Sequence, residues 1–242
     1  MLGLPNVEAI YPGELVTIFG STGMNKTTLA QNFIMGYDFV NDVIRTDLQI
    51  HTLFLSLELA DWNMTRRNMQ IALGLEKNEI NNAIINDKTG ALKRKAKTLL
   101  DHIKIVTVPP SIDQIERMIK ETMPKVVVID YIDLIEGEGF NEHDKIKRIC
   151  HKLSSIAVNL DIIIIQISQV SRQYAREEIL DLYAGKGSGS IENASRKVIG
   201  ISGVRGEDKR IVEMFKCQDG DLFSVELKWT PTWRLPKQIV IE

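Results

Sequence analysis

Between a short apolar run, Leu15–Phe19, and a helical pattern starting near Lys26 lies the segment Gly20-Ser-Thr-Gly-Met-Asn-Lys-Thr-Thr28. A strand that ends in a glycine-rich turn and feeds directly into a helix presents successive backbone N–H groups, and the positive end of the helix, to one small volume. That volume suits phosphate. In this arrangement Lys26 reaches the β- and γ-phosphates of a nucleotide and the Thr27 hydroxyl serves Mg²⁺. Gly20, Ser21, Thr22, Gly23, Met24, Asn25, Lys26, Thr27 and Thr28 are therefore expected to line a site for ATP. The pattern GxxxxGK[ST] is met except at one position, where Asn25 replaces glycine. Glycine serves there because it reaches unusual φ/ψ cheaply, and Asn is among the side chains that best tolerate positive φ.

The rest of the chain alternates short apolar runs with helical patterns, the mark of an α/β fold. Strands are expected at Leu15–Phe19, Thr52–Leu57, Ile103–Val106, Val126–Ile129 and Ile162–Ile165, the last two being β-branched runs suited to burial on both faces of a parallel sheet. Helices are expected over Lys26–Val40, over Trp62–Leu73 behind an Asp61 cap, once or twice within 76–101, from Pro109-Pro110-Ser111 to Thr122, and over 142–159. Arg210–Lys216 and Leu222–Trp229 read as an antiparallel hairpin around Cys217-Gln-Asp-Gly-Asp. No repeat or linker interrupts the pattern, so 1–242 is expected to form a single domain.

Three polar groups follow buried strands. Asp130 ends Val126–Ile129, where a carboxylate suits a Mg²⁺-water ligand, because sites in open parallel sheets form at the carboxyl ends of strands. Glu58 ends Phe54-Leu-Ser-Leu-Glu58; it is placed either to orient or deprotonate a water attacking the γ-phosphate, or simply to sit near the start of the next helix. Gln169 follows Ile162–Ile165 and is placed to sense the γ-phosphate by hydrogen bonding. The convergence carries the reading more than any single residue does.

Composition bounds the alternatives. Lys and Arg number 30 against 32 Asp and Glu, a net charge of −2, which excludes a broadly basic nucleic-acid binder but not a local basic channel. Apolar residues at 44 % and charged residues at 26 % fit a chain with a sizeable core. Cys150 and Cys217 have neither disulfide nor zinc spacing, and His51, His102, His143 and His151 are scattered, so a reducing cytoplasm is expected. No apolar run approaches the ~20 residues of a membrane span, and the first residues do not read as a signal peptide. Lys93-Arg-Lys-Ala-Lys97 reads as a solvated helix face. Trp229, Pro231 and Trp233 read as sheet-edge packing, and Met64, Met69, Met118 and Met123 as helix core.

Five segments in order resemble the RecA-like C-terminal motor domain of DnaB-type replicative ring helicases: 20–28; Ser56-Leu-Glu58 with Arg66-Arg67; Val128-Ile-Asp-Tyr-Ile-Asp-Leu134; Ser168-Gln-Val-Ser-Arg172; and Gly187-Ser-Gly-Ser-Ile-Glu192. The resemblance spans roughly Pro12 to Trp229. It implies a RecA-like P-loop NTPase fold with a mainly parallel central sheet, flanking helices and a C-terminal antiparallel hairpin. It further implies ATP hydrolysis at subunit interfaces of a homo-oligomer, a hexameric ring moving 5′–3′ on single-stranded DNA during replication, with a primase or helicase loader as further partners. Glu58 would be the catalytic base, Asp130 would support Mg²⁺, and Gln169 would couple nucleotide state to DNA loops. The 187–192 segment resembles the family's loop facing single-stranded DNA, with Arg172, Lys186, Gly187, Ser188 and Gly189 as the DNA-binding candidates. Locally, Lys186–Ser190 reads either as a flexible phosphate-tracking loop or as an ordinary surface loop.

Two departures stand beside the resemblance. The family offers a Lys and, two residues later, an Arg to the neighbouring subunit's γ-phosphate; Lys216 matches, but Gln218 holds the Arg position. An arginine finger is worth roughly 10³–10⁵ in rate, so hydrolysis is expected either to be slow or to recruit another cation such as Arg205 or Arg210. The family also carries an N-terminal domain and linker helix, whereas this sequence begins about twenty residues before the phosphate loop; the expectation is either a truncated chain or a minimal motor domain whose ring is less secure. The alternative readings are a RecA-like ATPase of another class, such as a recombinase or regulatory clock ATPase, and an ATP-binding assembly or loading factor with weak hydrolysis and no unwinding.

Overall fold

A computed structural model describes residues 9–58, 60–87, 90–137, 139–169 and 188–238. In chain order the elements are β1 (Leu15–Gly20), α1 (Lys26–Ile34), β2 (Tyr37–Asp38), β3 (Val43–Ile44), β4 (Thr52–Ser56), α2 (Asp61–Leu73), α3 (Lys77–Asn86), α4 (Ala91–Leu100), β5 (Ile103–Thr107), α5 (Ile112–Thr122), β6 (Val126–Asp130), α6 (Glu142–Leu160), β7 (Ile163–Gln169), α7 (Ser188–Ala194), β8 (Lys197–Ser202), β9 (Lys209–Cys217) and β10 (Ser224–Lys228). Eight strands form one sheet in the order β10-β9-β8-β1-β7-β6-β4-β5. The pairings from β8 to β5 are parallel, and β9 and β10 extend the sheet by antiparallel pairing.

The continuous apolar runs explain why the sheet is covered on both sides. Along β6, Val126 and Val128 join one core with Leu29, Phe33 and Phe54, whereas Val127 and Ile129 join another with Ile115, Ile149 and Leu153. Successive strand side chains point to opposite faces, so a strand apolar at every position needs helices on both. The buried residues of α6, Ile146, Ile149, Cys150, Leu153, Ile156 and Ala157, recur at three- and four-residue spacing on one helix face. The Asn141 side chain accepts from Asp144 N at 2.9 Å and caps the start of α6. Register fixes the functional edge: Gly20 lies opposite Gln169 and Ser56 opposite Asp130, so four strand ends reach one side of the sheet.

Several elements differ from the sequence expectation. The first helix stops at Ile34 rather than near Val40, because Gly36 turns at φ +70 and Tyr37 and Phe39 drop fully buried into the core through the β2–β3 hairpin. The C-terminal hairpin is joined by an unexpected strand, β8. Its sequence, Lys-Val-Ile-Gly-Ile-Ser, hides the pattern twice. Lys197 is wholly buried, its Nζ donating to both carboxylate oxygens of Glu14 at 2.8 Å. Gly200 is small because the Phe215 ring, paired with Phe19 at 5.4 Å, lies where a Cβ would be.

Residues 188–190, expected as loop, form the first turn of α7. Asp61 is the first helical residue of α2 rather than its cap, and receives the Thr107 hydroxyl instead. Met64 is core, but Met123 is 67 % exposed in a left-handed turn that ends α5. Lys93, Arg94, Lys95 and Lys97 are exposed, as a solvated face requires. No helix among the described residues is long and apolar enough to cross a membrane.

Candidate nucleotide-binding site

Gly20 closes β1 where the Ile201 carbonyl of β8 occupies the space a Cβ would need, so no larger residue fits without a shift. The chain then turns through Gly23 at φ +87 and Asn25 at φ 68, ψ 29 before α1 begins. Asn25 thus adopts the left-handed conformation that glycine takes most easily. Lys26 is buried, and its Nζ donates to the carbonyls of Gly20 at 2.8 Å and Ser21 at 3.1 Å. Burial pulls its pKa down, opposed by the charges of Asp130, Asp133 and Glu58.

The loop borders a cavity of about 310 Å³, within the size range of small-molecule sites. Thr22, Gly23, Asn25, Lys26, Thr27 and Thr28 line it from the loop and α1, Glu58 from the end of β4, Asp130 and Tyr131 from β6, and Gln169 from β7. The expected loop set is narrower in contact than in sequence. Gly20 and Ser21 contribute carbonyls to Lys26 without lining the cavity, and Met24 is buried outside it.

Asp130 is 2 % exposed, and burial pushes its carboxyl up to about 6, with the Thr27 hydrogen bond pulling the other way. Thr27 Oγ1 donates to Asp130 Oδ2 at 2.8 Å. A hydroxyl and a carboxylate side by side are the hard oxygen donors from which Mg²⁺ takes one or two, completing its shell with phosphate and water. Among the described residues, no group of three or more His, Cys, Asp or Glu forms a metal cage of its own. Gln169 is held on two sides: its backbone N–H donates to Asp133 Oδ2 at 3.1 Å, and its side chain hydrogen-bonds Tyr131.

Two further residues line the cavity without having been assigned a role from sequence. Arg67 of α2 stacks its guanidinium on the Trp233 ring at 4.2 Å and feels the charges of Asp130 and Glu58. Trp233 itself, expected at a sheet edge, borders the cavity while packing edge-on against Trp229 at 5.8 Å. The signals for Arg67 were its place in the Arg66-Arg67 pair of the family resemblance and its spacing from Glu58, which puts it on the helix that leaves the same strand end.

Other expected site residues lie elsewhere. Lys216 is on β9, its Nζ donating to the Glu192 carbonyl of α7 at 2.5 Å, and does not line its own chain's cavity. Ser188 and Gly189 open α7, and Arg172, Lys186 and Gly187 fall outside the described residues. Arg210, one of two substitutes suggested for the missing finger, is buried beside Asn25 of its own chain, whereas Arg205 is exposed.

A family model described as the DnaB-like helicase C terminal domain matches residues 6–233. The replicative DNA helicase DnaB of Treponema pallidum (strain Nichols) is 24 % identical over 225 residues, covering 89 % of this chain and 50 % of that protein. The replicative DNA helicase DnaB of Rickettsia prowazekii (strain Madrid E) is 26 % identical over 187 residues, covering 71 % of this chain and 38 % of that protein. The chain therefore spans half the length or less of these two relatives. Among solved structures, one described as an ATPase domain superposes with a TM-score of 0.74 at 20 % identity, covering 95 % of this chain and 86 % of that one. A DnaB-like replicative helicase, described together with its interactions with primase, also superposes at 0.74 with 21 % identity, covering 93 % of this chain and 57 % of that one. A phosphate-type loop at the carboxyl edge of a mainly parallel sheet, these two superpositions and a family match over nearly the whole length agree: the chain belongs to the DnaB-like helicase C-terminal domain family.

Proposed function

We propose that the chain is an ATP-hydrolysing motor domain that works in a homo-oligomeric ring, of hexameric form in the family resemblance, and moves on single-stranded DNA during replication. The observation that supports this most is the arrival of Lys26, Thr27, Glu58, Asp130 and Gln169 at one cavity from four strand ends. Lys26 has carbonyl partners to exchange for β- and γ-phosphate oxygens, and the N–H groups opening α1 face the same anion. Thr27 and Asp130 hold Mg²⁺, which when bound neutralises charge on the phosphates. Glu58 is exposed at the cavity, where a carboxylate orients the attacking water and accepts its proton. Gln169, fixed by Asp133 and Tyr131, is the hydrogen-bonding group that reads the γ-phosphate.

Lys216, outside its own cavity, is the cation offered to a neighbouring subunit. Arg172, Lys186, Gly187, Ser188 and Gly189 form the DNA-facing segment, and primase or a loader is the further partner in this reading. A single domain over 1–242 is supported by one continuous eight-stranded sheet.

Steady-state ATP hydrolysis, with and without single-stranded DNA and over a range of protein concentrations, tests the proposal, with K26A as the blank. Turnover is expected to rise with both DNA and protein. Tight ATP binding with negligible, DNA-indifferent turnover would replace the motor with an ATP-binding assembly factor, a reading that Asn25 and Gln218 favour.

A further inference from the structure

Asn25 brings to the loop a side chain that glycine lacks, and that side chain has a partner. Asn25 Oδ1 accepts from Arg210 Nε at 2.9 Å, across 185 residues of sequence. Arg210 is 5 % exposed near the start of β9, and its Nη1 donates to the carbonyls of Glu207 at 2.8 Å and Lys209 at 2.6 Å. Gly203, just beyond β8, leaves room for it, since a Cβ there would stand 3.1 Å from Arg210 Cδ and 3.2 Å from Nη1. Hydrogen bonds from a charged donor are roughly twice as strong as neutral ones. Here the bond orients the amide of the residue that must hold φ 68 for the loop to turn into α1.

We propose that Arg210 is a positioning residue for the phosphate loop: through Asn25 it holds the loop in its nucleotide-binding conformation and ties it to β9, the strand whose far end carries Lys216. The proposal rests on the nucleotide-binding reading of the loop. Apparent affinity falls with the fraction of molecules in the competent conformation, so a loop released from Arg210 binds more weakly. β9 pairs with β10 over 209–213 and with β8 over 211–217, so the strand that Arg210 joins to Asn25 is held by both neighbours between Ile211 and Glu213.

The test is ADP binding in Mg²⁺ by calorimetry, on the full chain, for wild type, K26A, N25G, R210Q and N25G/R210Q. R210Q is expected to weaken ADP about tenfold in the wild-type background, the size of one charge-assisted hydrogen bond, and less than twofold in the N25G background. Losing the charge, or damaging the hairpin, acts equally in both backgrounds, so an equal loss overturns the proposal. Should R210Q not fold, hydrogen exchange at saturating ADP decides it. ADP is expected to slow exchange over 203–216 in wild type and to lose most of that effect in N25G, and identical protection in the two overturns the link. ADP bound by wild type and lost in K26A, with an additive cycle, removes the Arg210 link and leaves the nucleotide reading standing. Equal ADP binding by wild type and K26A, or none by wild type, removes both.

Discussion

Thr27 Oγ1 donates to Asp130 Oδ2 at 2.8 Å, joining the start of α1 to the end of β6 across 103 residues of chain. The bond holds the two hard oxygen donors of the site together before any cation is considered. It also ties a carboxylate that burial has lifted to about 6 to a group that favours its ionised form. The consequences of this pairing, and of the packing behind it, are measurable.

Lys26→Ala removes the ammonium that Gly20 and Ser21 hold at the cavity. Nucleotide affinity is expected to fall at least a hundredfold in equilibrium titration with a fluorescent ATP analogue. Unchanged affinity would take the loop out of phosphate binding.

Glu58→Gln keeps the shape of the side chain and removes its basicity. Binding of ATP is expected within about threefold of wild type, with turnover reduced about 10²–10⁴-fold, the range of general-base contributions. Normal turnover in single-cycle assays would remove Glu58 from the chemistry.

Asp130 sets a pH dependence whose direction follows from burial. Its folded pKa of about 6 lies above the ordinary 3.8, so the folded chain binds this proton more tightly than the unfolded chain. The associated stability is full below pH 3.8 and lost as pH rises through about 6. Asp130→Asn is therefore expected to stabilise the nucleotide-free chain by about 3 kcal/mol at pH 7–8, with the gap closing near pH 4 in denaturant titrations. With Asp130 serving Mg²⁺ as proposed, Mg²⁺-dependent ADP affinity is expected to drop in wild type below about pH 6. A variant no more stable than wild type at pH 8 would contradict the buried-charge account.

Gln218 is exposed just beyond β9, its backbone N–H donating to the Arg196 carbonyl at 3.2 Å. In the proposed ring, Gln218→Arg would supply the second trans cation that the family resemblance implies. If its absence limits the rate, turnover that depends on protein concentration is expected to rise tenfold or more. No gain would assign the role to another residue such as the exposed Arg205.

Lys197 and Glu14 form a buried ion pair, with 0 % and 8 % of their side chains exposed. Removing one partner strands the other charge, so Glu14→Gln is expected to cost about 3–5 kcal/mol in chemical denaturation. The double change Glu14→Leu with Lys197→Met is expected to recover most of that loss. Equal destabilisation by both variants would show that the pair's shape, rather than its charge balance, matters.

Much of this architecture was legible in the linear chain because its causes are local. The glycines before Lys26, the β-branched runs of 126–129 and 162–165 and the polar groups that close their strands, Asp130 and Gln169, act over a few neighbours, and backbone sterics and strand periodicity need nothing more. They place the loop, the parallel core strands and the convergence of Glu58, Asp130 and Gln169 without any long-range contact.

What remained hidden depends on partners far away in sequence. Strand β8 went unread because Lys197 and Gly200 fit a strand only once Glu14 neutralises the one and the Phe215 ring fills the space beside the other. Trp233 and Arg67 meet at the cavity because a C-terminal turn packs on α2, a contact no periodicity records. Arg210 reads as the start of a hairpin strand and a candidate trans cation until the fold sets it against Asn25 of its own chain. Local chain chemistry determined which elements form and which ends carry chemistry; long-range packing alone decided which charges are buried and which side chains share the site.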